Sequence, residues 1–228
     1  MAPVTSELTR TAERLIRSRH ATRAFLPDPV PAETIEAVFD LAGAAPSNSN
    51  IQPWQVEVVS GAARDELAQA LLAADRAGWR TVDLPHSEDI YTPVHQRRRA
   101  AFGEAVYGAL GIGRDAHELR AAYDARSLNF YDAPHVALVY APESGNPRLT
   151  ADVGMYAQTL LLAMEAHGVA SCPQGLLSFY ADTVRETLGV TGGKLLFGIS
   201  FGYADPTAAV NAVATGRAPL GETTRFHH

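Results

Sequence analysis

Val4, Leu8, Ala12, Leu15 and Ile16 recur at helical spacing and mark one face of a helix that runs into the arginine-rich segment 17–23. Val30-Pro31-Ala32-Glu33 has the proline and acidic residue of a helix start, and Ile35, Val38, Phe39 and Ala42 follow on one face up to Gly43. Ala45 to Pro53 is dense in small polar residues and reads as a loop, after which Trp54 to Ser60 alternates like a strand. Leu67, Ala70, Leu71 and Ala74 predict a helix over 63–77. Residues 78–130 then change character, mixing polar residues, the run Arg97-Arg98-Arg99 and the glycines Gly108, Gly111 and Gly113, which predicts a helical insertion or lid.

Val136 to Tyr140, bracketed by Pro134 and Pro142, has the continuous apolar character of a buried strand. From Asp152 to His167, Tyr156, Leu160, Ala163, Met164 and His167 keep helical spacing, while Leu161 and Leu162 widen the apolar surface nearly all round. That pattern fits a core helix and a dimer surface equally well. Cys172-Pro173-Gln174-Gly175 reads as a turn, followed by a helix near 180–188 closed by Gly189 and a buried strand from Leu195 to Tyr203. Strands separated by helices, without tandem repeats or a linker, predict a single domain over 1–228 of α/β (α+β) class.

Composition narrows the function. Hydrophobic residues make up 46% of the 228 and charged ones 19%, the balance of a globular protein, and the net charge of −6 opposes phosphate-backbone binding. Nucleic acid and anionic membranes are therefore excluded as expected partners. One cysteine, Cys172, permits no internal disulfide, no Cys/His spacing matches a metal site, and the first residues lack the apolar core of a signal peptide. The expectation is a cytoplasmic protein without a metal.

Gly198-Ile199-Ser200-Phe201-Gly202 satisfies the G-x-S-x-G pattern of serine hydrolases. The elbow requires a strand–turn–helix, whereas Phe197, Ile199 and Phe201 carry the strand straight across the serine, so a packed strand is the expected reading. Gly108 to Gly113 has the wrong glycine spacing for a dinucleotide loop, and Thr191-Gly192-Gly193-Lys194-Leu195 lacks the upstream glycine of a P-loop. More telling is Arg17-Ser18-Arg19-His20-Ala21-Thr22-Arg23, whose guanidinium groups suit an anion. Ala45-Pro46-Ser47-Asn48-Ser49-Asn50-Ile51-Gln52-Pro53-Trp54 adds donors and acceptors able to read a heterocycle edge.

With Cys172-Pro173-Gln174-Gly175 and the tail Gly216-Arg217-Ala218-Pro219, these segments make the sequence resemble the flavin-dependent nitroreductase family, in family order from residue 17 to residue 219. The Asn-rich second motif, the 78–130 insertion and Ile112-Gly113-Arg114-Asp115 resemble most the subgroup acting on nitrobenzoate-type compounds. The resemblance implies a central mixed, mainly antiparallel sheet flanked by helices, in an intertwined homodimer with FMN at the subunit interface. It implies that Arg19 and Arg217 hold the FMN phosphate, with His20 and the backbone of Ala21 beside it, and that Arg23 reaches the flavin O2/N1 edge. Ala21 stands where many members have serine. Pro46, Ser47, Asn48 and Asn50 would come from the partner subunit, Pro173, Gln174 and Gly175 would lie against the ring near N5, and Arg126 is a further candidate at the pyrimidine edge.

The implied activity is ping-pong, two-electron reduction of nitroaromatic compounds by NADPH or NADH, with the chemistry at flavin N5 and no catalytic side-chain acid. Quinone reduction, reductive dehalogenation and non-catalytic flavin binding are the alternatives. Tyr91, Tyr107, His95 and the Arg97-Arg98-Arg99 run would furnish the lid, the arginines reading first as a solvated helix face and second as an attractor of a substrate carboxylate.

Overall fold

A computed structural model describes residues 6–228. The chain begins with α1 (Glu7–Ser18), capped by the Ser6 hydroxyl, which accepts from the Thr9 N–H at 3.1 Å. Val4, expected on the apolar face of this helix, lies outside the described residues. α2 (Ala32–Ala42) starts after Pro31, and β1 (Gln55–Ser60) leads directly into α3 (Gly61–Ala77), which Gly78 closes at a φ of 70°. The segment expected to be a helical insertion contains α4 (Pro93–Ala109) and α5 (His117–Leu128). Then come β2 (His135–Ala141), α6 (Pro147–Ala166), β3 (Ala170–Gln174), α7 (Ala181–Leu188), β4 (Lys194–Gly202) and the short α8 (Leu220–Thr223).

The four strands form one sheet in the order β1-β2-β4-β3, every neighbouring pair antiparallel. Alternation along β2 feeds two cores, one on each face of the sheet. Val136, Leu138 and Tyr140 pack with Leu67 and Leu71 of α3 and Val184 of α7. Ala137 and Val139 pack with Val38 of α2 and Tyr156, Leu160 and Met164 of α6. All seven residues of β2 are buried, which explains why this strand reads as a continuous apolar run. The α+β class and the antiparallel sheet with flanking helices agree with the expectation.

One element differs. Cys172-Pro173-Gln174, expected in a turn, is the second half of β3, and the chain turns only from Gly175 onward. β3 ends the strand order, so the missing N–H of Pro173 costs no ladder bond to a further strand. On its other side a single parallel bridge joins Ser171 to Ala21, with the Thr22 N–H donating to the Ser171 carbonyl at 2.9 Å. That bridge brings the arginine motif to the edge of the sheet.

Candidate functional site

The segment 19–26 is pinned at both ends and in the middle. Thr22 is tied to Ser171, and the Leu26 N–H donates to the Tyr203 carbonyl at 2.8 Å. Asn211, from a stretch of the tail without periodic pattern, clasps the middle. Its side-chain oxygen accepts from the Arg23 N–H at 2.7 Å, and its amide donates to the carbonyls of Ala24 at 2.8 Å and Asp205 at 3.0 Å. Asn211 is a positioning residue that sequence reasoning missed, because an isolated amide in an aperiodic segment carries no signal.

Between this segment and the tail lies a cavity of about 430 Å³ lined by Arg17, Arg19, His20, Ala21, Arg23 and Arg217, among others. Arg19, Arg23 and Arg217 form no ion pair with any carboxylate of the described residues, whereas Arg17 is held by Glu13 at 3.0 Å. Arg217 instead donates to the carbonyls of Thr215 and Gly216 at 2.9 and 3.1 Å. Arg19 and Arg217 offer two uncompensated guanidinium groups suited to a phosphate dianion, and Arg23 adds a third cation further along the same cavity, so the donor set fits FMN with its phosphate at the Arg19–Arg217 end.

Arg23 faces inward. Its guanidinium donates to the Ala21 carbonyl at 3.3 Å and sits 5.1 Å from the centre of the Phe102 ring on α4. It also acts on two buried acids, Cys172 and Tyr123, and on half-buried Tyr131. Burial pushes the Cys172 thiol up to about 11 and the Tyr123 phenol up to about 12, the guanidinium opposing both shifts, and burial raises Tyr131 as well. All three stay neutral, so the positive charge of Arg23 is not cancelled from beneath.

Phe102 also borders a second cavity, of about 940 Å³, between α4, α5 and the segment 175–179. Gly175 lies on its wall, so the end of β3 and the Arg23–Phe102 contact separate the two cavities. Aromatic faces come from Tyr91, Phe102, Phe179 and His86.

Gln174 does not aim its side chain at either cavity. Its amide donates to the Ser127 carbonyl at 2.7 Å and its oxygen accepts from the Ser200 hydroxyl, so a ligand can meet only its backbone. That contact also accounts for Ser200, which is fully buried within β4 and has no histidine partner. The hydrolase pattern arises from packing: a methyl group at Gly198 would run into Leu177, and one at Gly202 would lie 2.7 Å from Pro134. Arg126 lies outside both cavities, paired with Asp132 at 2.8 Å, and shares with Arg23 an electrostatic contact to Tyr123.

The loop 45–53 does not reach the cavity of its own chain. Pro46, Asn48 and Asn50 are exposed and Ser47 is half-buried, its hydroxyl accepting from the Gln52 N–H at 2.9 Å. The Asn48 N–H donates to the Asp152 carboxylate at the start of α6 at 3.2 Å. Ser49, Asn50 and Gln52 all take positive φ, a local cost that a loop with no task beyond turning the chain rarely carries.

With this geometry in place, comparison with known proteins identifies the class. The pattern of the nitroreductase family matches residues 16–203, and the chain belongs to that family. It is 62% identical over 222 residues to the nitroreductase NfnB of Mycolicibacterium smegmatis, a match spanning 97% of this chain and 95% of that protein. It is 34% identical to a 4-nitrobenzoate reductase of Nocardioides sp., spanning 94% of this chain and 89% of the relative. The crystal structure of FMN-dependent NfnB from Mycobacterium smegmatis in complex with NADPH superposes with a TM-score of 0.95 at 61% identity, spanning 97% of this chain and all of that one.

Proposed function

We propose that this chain is an FMN-dependent NAD(P)H oxidoreductase that reduces nitroaromatic compounds in two-electron steps, and that it works as a homodimer. The observation that carries the reading is the cavity where the 17–23 motif and Arg217, far apart in sequence, meet, with three guanidinium groups that have no carboxylate partner among the described residues. The likeness to FMN- and NADPH-dependent NfnB over nearly the whole chain supports it.

FMN, when bound, supplies an N5 centre that accepts hydride from NAD(P)H and passes it to the acceptor in a separate half-reaction. Arg19 and Arg217 hold its phosphate, with His20 and the Ala21 N–H beside them. Arg23 faces the O2/N1 edge, where a guanidinium favours the negative charge that reduction adds, and Arg126 is an outer cation on the same side. The backbone of Pro173, Gln174 and Gly175 borders the ring, on the wall shared with the second cavity. Pro46, Ser47, Asn48 and Asn50 complete the site from a second copy of the chain, which gives the exposure of Pro46, Asn48 and Asn50 and the positive φ values of this loop a purpose. No side-chain acid is needed: reduction of nitro to nitroso takes a hydride and a solvent proton and releases water, and a second addition of hydride and proton, which releases no water, yields the hydroxylamine.

Purified protein is expected to be yellow, to release FMN on denaturation, and to oxidise two equivalents of NAD(P)H per nitroarene converted to hydroxylamine. A colourless preparation that takes up no FMN would end the reading. A yellow one that oxidises no NAD(P)H, with or without a nitroarene, would reduce it to flavin binding.

A further inference from the structure

Resting on that reading, the second cavity says which nitroarenes the enzyme takes. Its walls carry aromatic rings, and each of its guanidinium groups is already paired. Two guanidinium groups, Arg80 and Arg99, face three carboxylates, Asp75, Glu88 and Asp124. Asp75 accepts from Arg80 at 3.0 Å and from the Tyr180 hydroxyl at 2.6 Å, and Asp124 accepts from the Tyr107 hydroxyl at 2.9 Å. Arg99 donates to both oxygens of Glu88, at 2.6 and 3.4 Å, and lies 4.1 Å from the centre of the Tyr91 ring. The guanidinium beside Glu88 holds its carboxyl below the usual range, so Glu88 is ionised at neutral pH.

A carboxylated acceptor entering this chamber meets no spare guanidinium, and His86, whose Nε2 lies 3.8 Å from Glu88, faces the same carboxylate. The acceptor must displace Glu88 from Arg99, leaving two carboxylates to share one guanidinium, or remain unpaired against a net negative wall. A neutral acceptor stacks on the aromatic faces and disturbs no charge. The Glu88–Arg99 pair is solvent-exposed on both sides, so it sets selectivity without being a large contributor to stability.

We propose that Glu88, by occupying Arg99, makes this chamber selective for neutral over carboxylated nitroarenes, and that Glu88 is the specificity-determining residue. The wall is thus arranged against the anionic substrate that the resemblance to nitrobenzoate-type reductases implies.

The test compares two ligands of nearly the same shape, 4-nitrobenzoate and 4-nitrobenzamide, titrated calorimetrically into oxidised holoenzyme with no reductant present. Wild type is expected to bind the amide more tightly. Glu88→Gln is expected to shift the ratio of dissociation constants toward the carboxylate by about fivefold, the scale of one exposed charge pair. The double variant Glu88→Gln/Arg99→Gln is expected to lose that gain. A wild type that prefers the carboxylate, a ratio unmoved by Glu88→Gln, or a gain that persists without Arg99 would each overturn the proposal, and binding of neither ligand would remove the chamber assignment itself. Because no turnover is involved, these outcomes are independent of whether NAD(P)H oxidation with nitroarenes succeeds.

Discussion

Arg19 and Arg217 stand about two hundred positions apart in the sequence, yet they line one cavity, and neither has a carboxylate partner among the described residues. Each is expected to make a charge-assisted contact to phosphate, so Arg19→Ala and Arg217→Ala should each weaken FMN by about 1.5–3 kcal/mol, readable as a ten- to hundredfold rise in dissociation constant. Unchanged flavin occupancy in both variants would remove the phosphate assignment. Arg23 has a separate task. Arg23→Met should retain most of its FMN but lower the midpoint potential by roughly 30–65 mV, the two-electron equivalent of a differential contact of about 1.5–3 kcal/mol, in an anaerobic titration. His135 belongs to the same scale. Its Nε2 accepts from the Val30 N–H at 2.9 Å, so its proton sits on Nδ1, 2.5 Å from the Ser60 hydroxyl. Burial holds the imidazole below its ordinary value, and a second proton would face an N–H donor. The unfolded chain therefore binds the proton first, and stability is lost as pH falls below about 6.5 toward the folded value. Urea midpoints between pH 7.5 and 5 should fall more steeply in wild type than in His135→Gln, and parallel slopes would exclude His135 as the cause.

At the scale of elements, periodicity located β1, β2, β4 and α2, α3, α6 and α7 because the helices present apolar stripes to one core each and the strands β2 and β4 supply apolar residues to both. β3 escaped because its pattern is broken by Pro173, a residue that signals a turn in sequence but is tolerated on the side of a strand that no further strand covers. Asn211 and the second cavity were illegible for a different reason: both depend on which segments meet, and that is decided by tertiary packing. The G-x-S-x-G match in β4 shows the reverse error that pattern alone invites. Its glycines answer to neighbours, since a Cβ at Gly202 would lie 2.7 and 3.0 Å from two ring carbons of Pro134. Gly202→Ala is therefore expected to cost about 1–3 kcal/mol, at roughly 2–4 °C of melting midpoint per kcal/mol. An unchanged midpoint would mean that the Pro134 turn yields freely.

For the whole molecule the decisive element is α1. It buries no residue, although Leu8 is 78% and Ile16 58% exposed on a strongly amphipathic surface. A twelve-residue helix is marginal without tertiary burial, and although α1 packs against α6 within the chain, no residue of it is fully buried there. The long α6, by contrast, spends its apolar face in its own core on Val153, Tyr156, Leu160 and Met164, leaving Met155 as its exposed large hydrophobe. A second copy covering α1 would bury that stripe, and α1 runs directly into Arg17 and Arg19, so dimerisation and the phosphate cavity are mechanically joined. If so, flavin binds the dimer better than the monomer, and by linkage each stabilises the other. Sedimentation across a dilution series should show the FMN-loaded form remaining dimeric to lower concentration than the apoprotein. Leu8→Asp, on α1 but away from the phosphate cavity, provides the sharper version: an ordinary exposed substitution costs within about 0.5 kcal/mol, whereas here dimer and flavin should be lost together. A flavin-loaded monomer in either experiment would sever the link between α1, the dimer and the flavin.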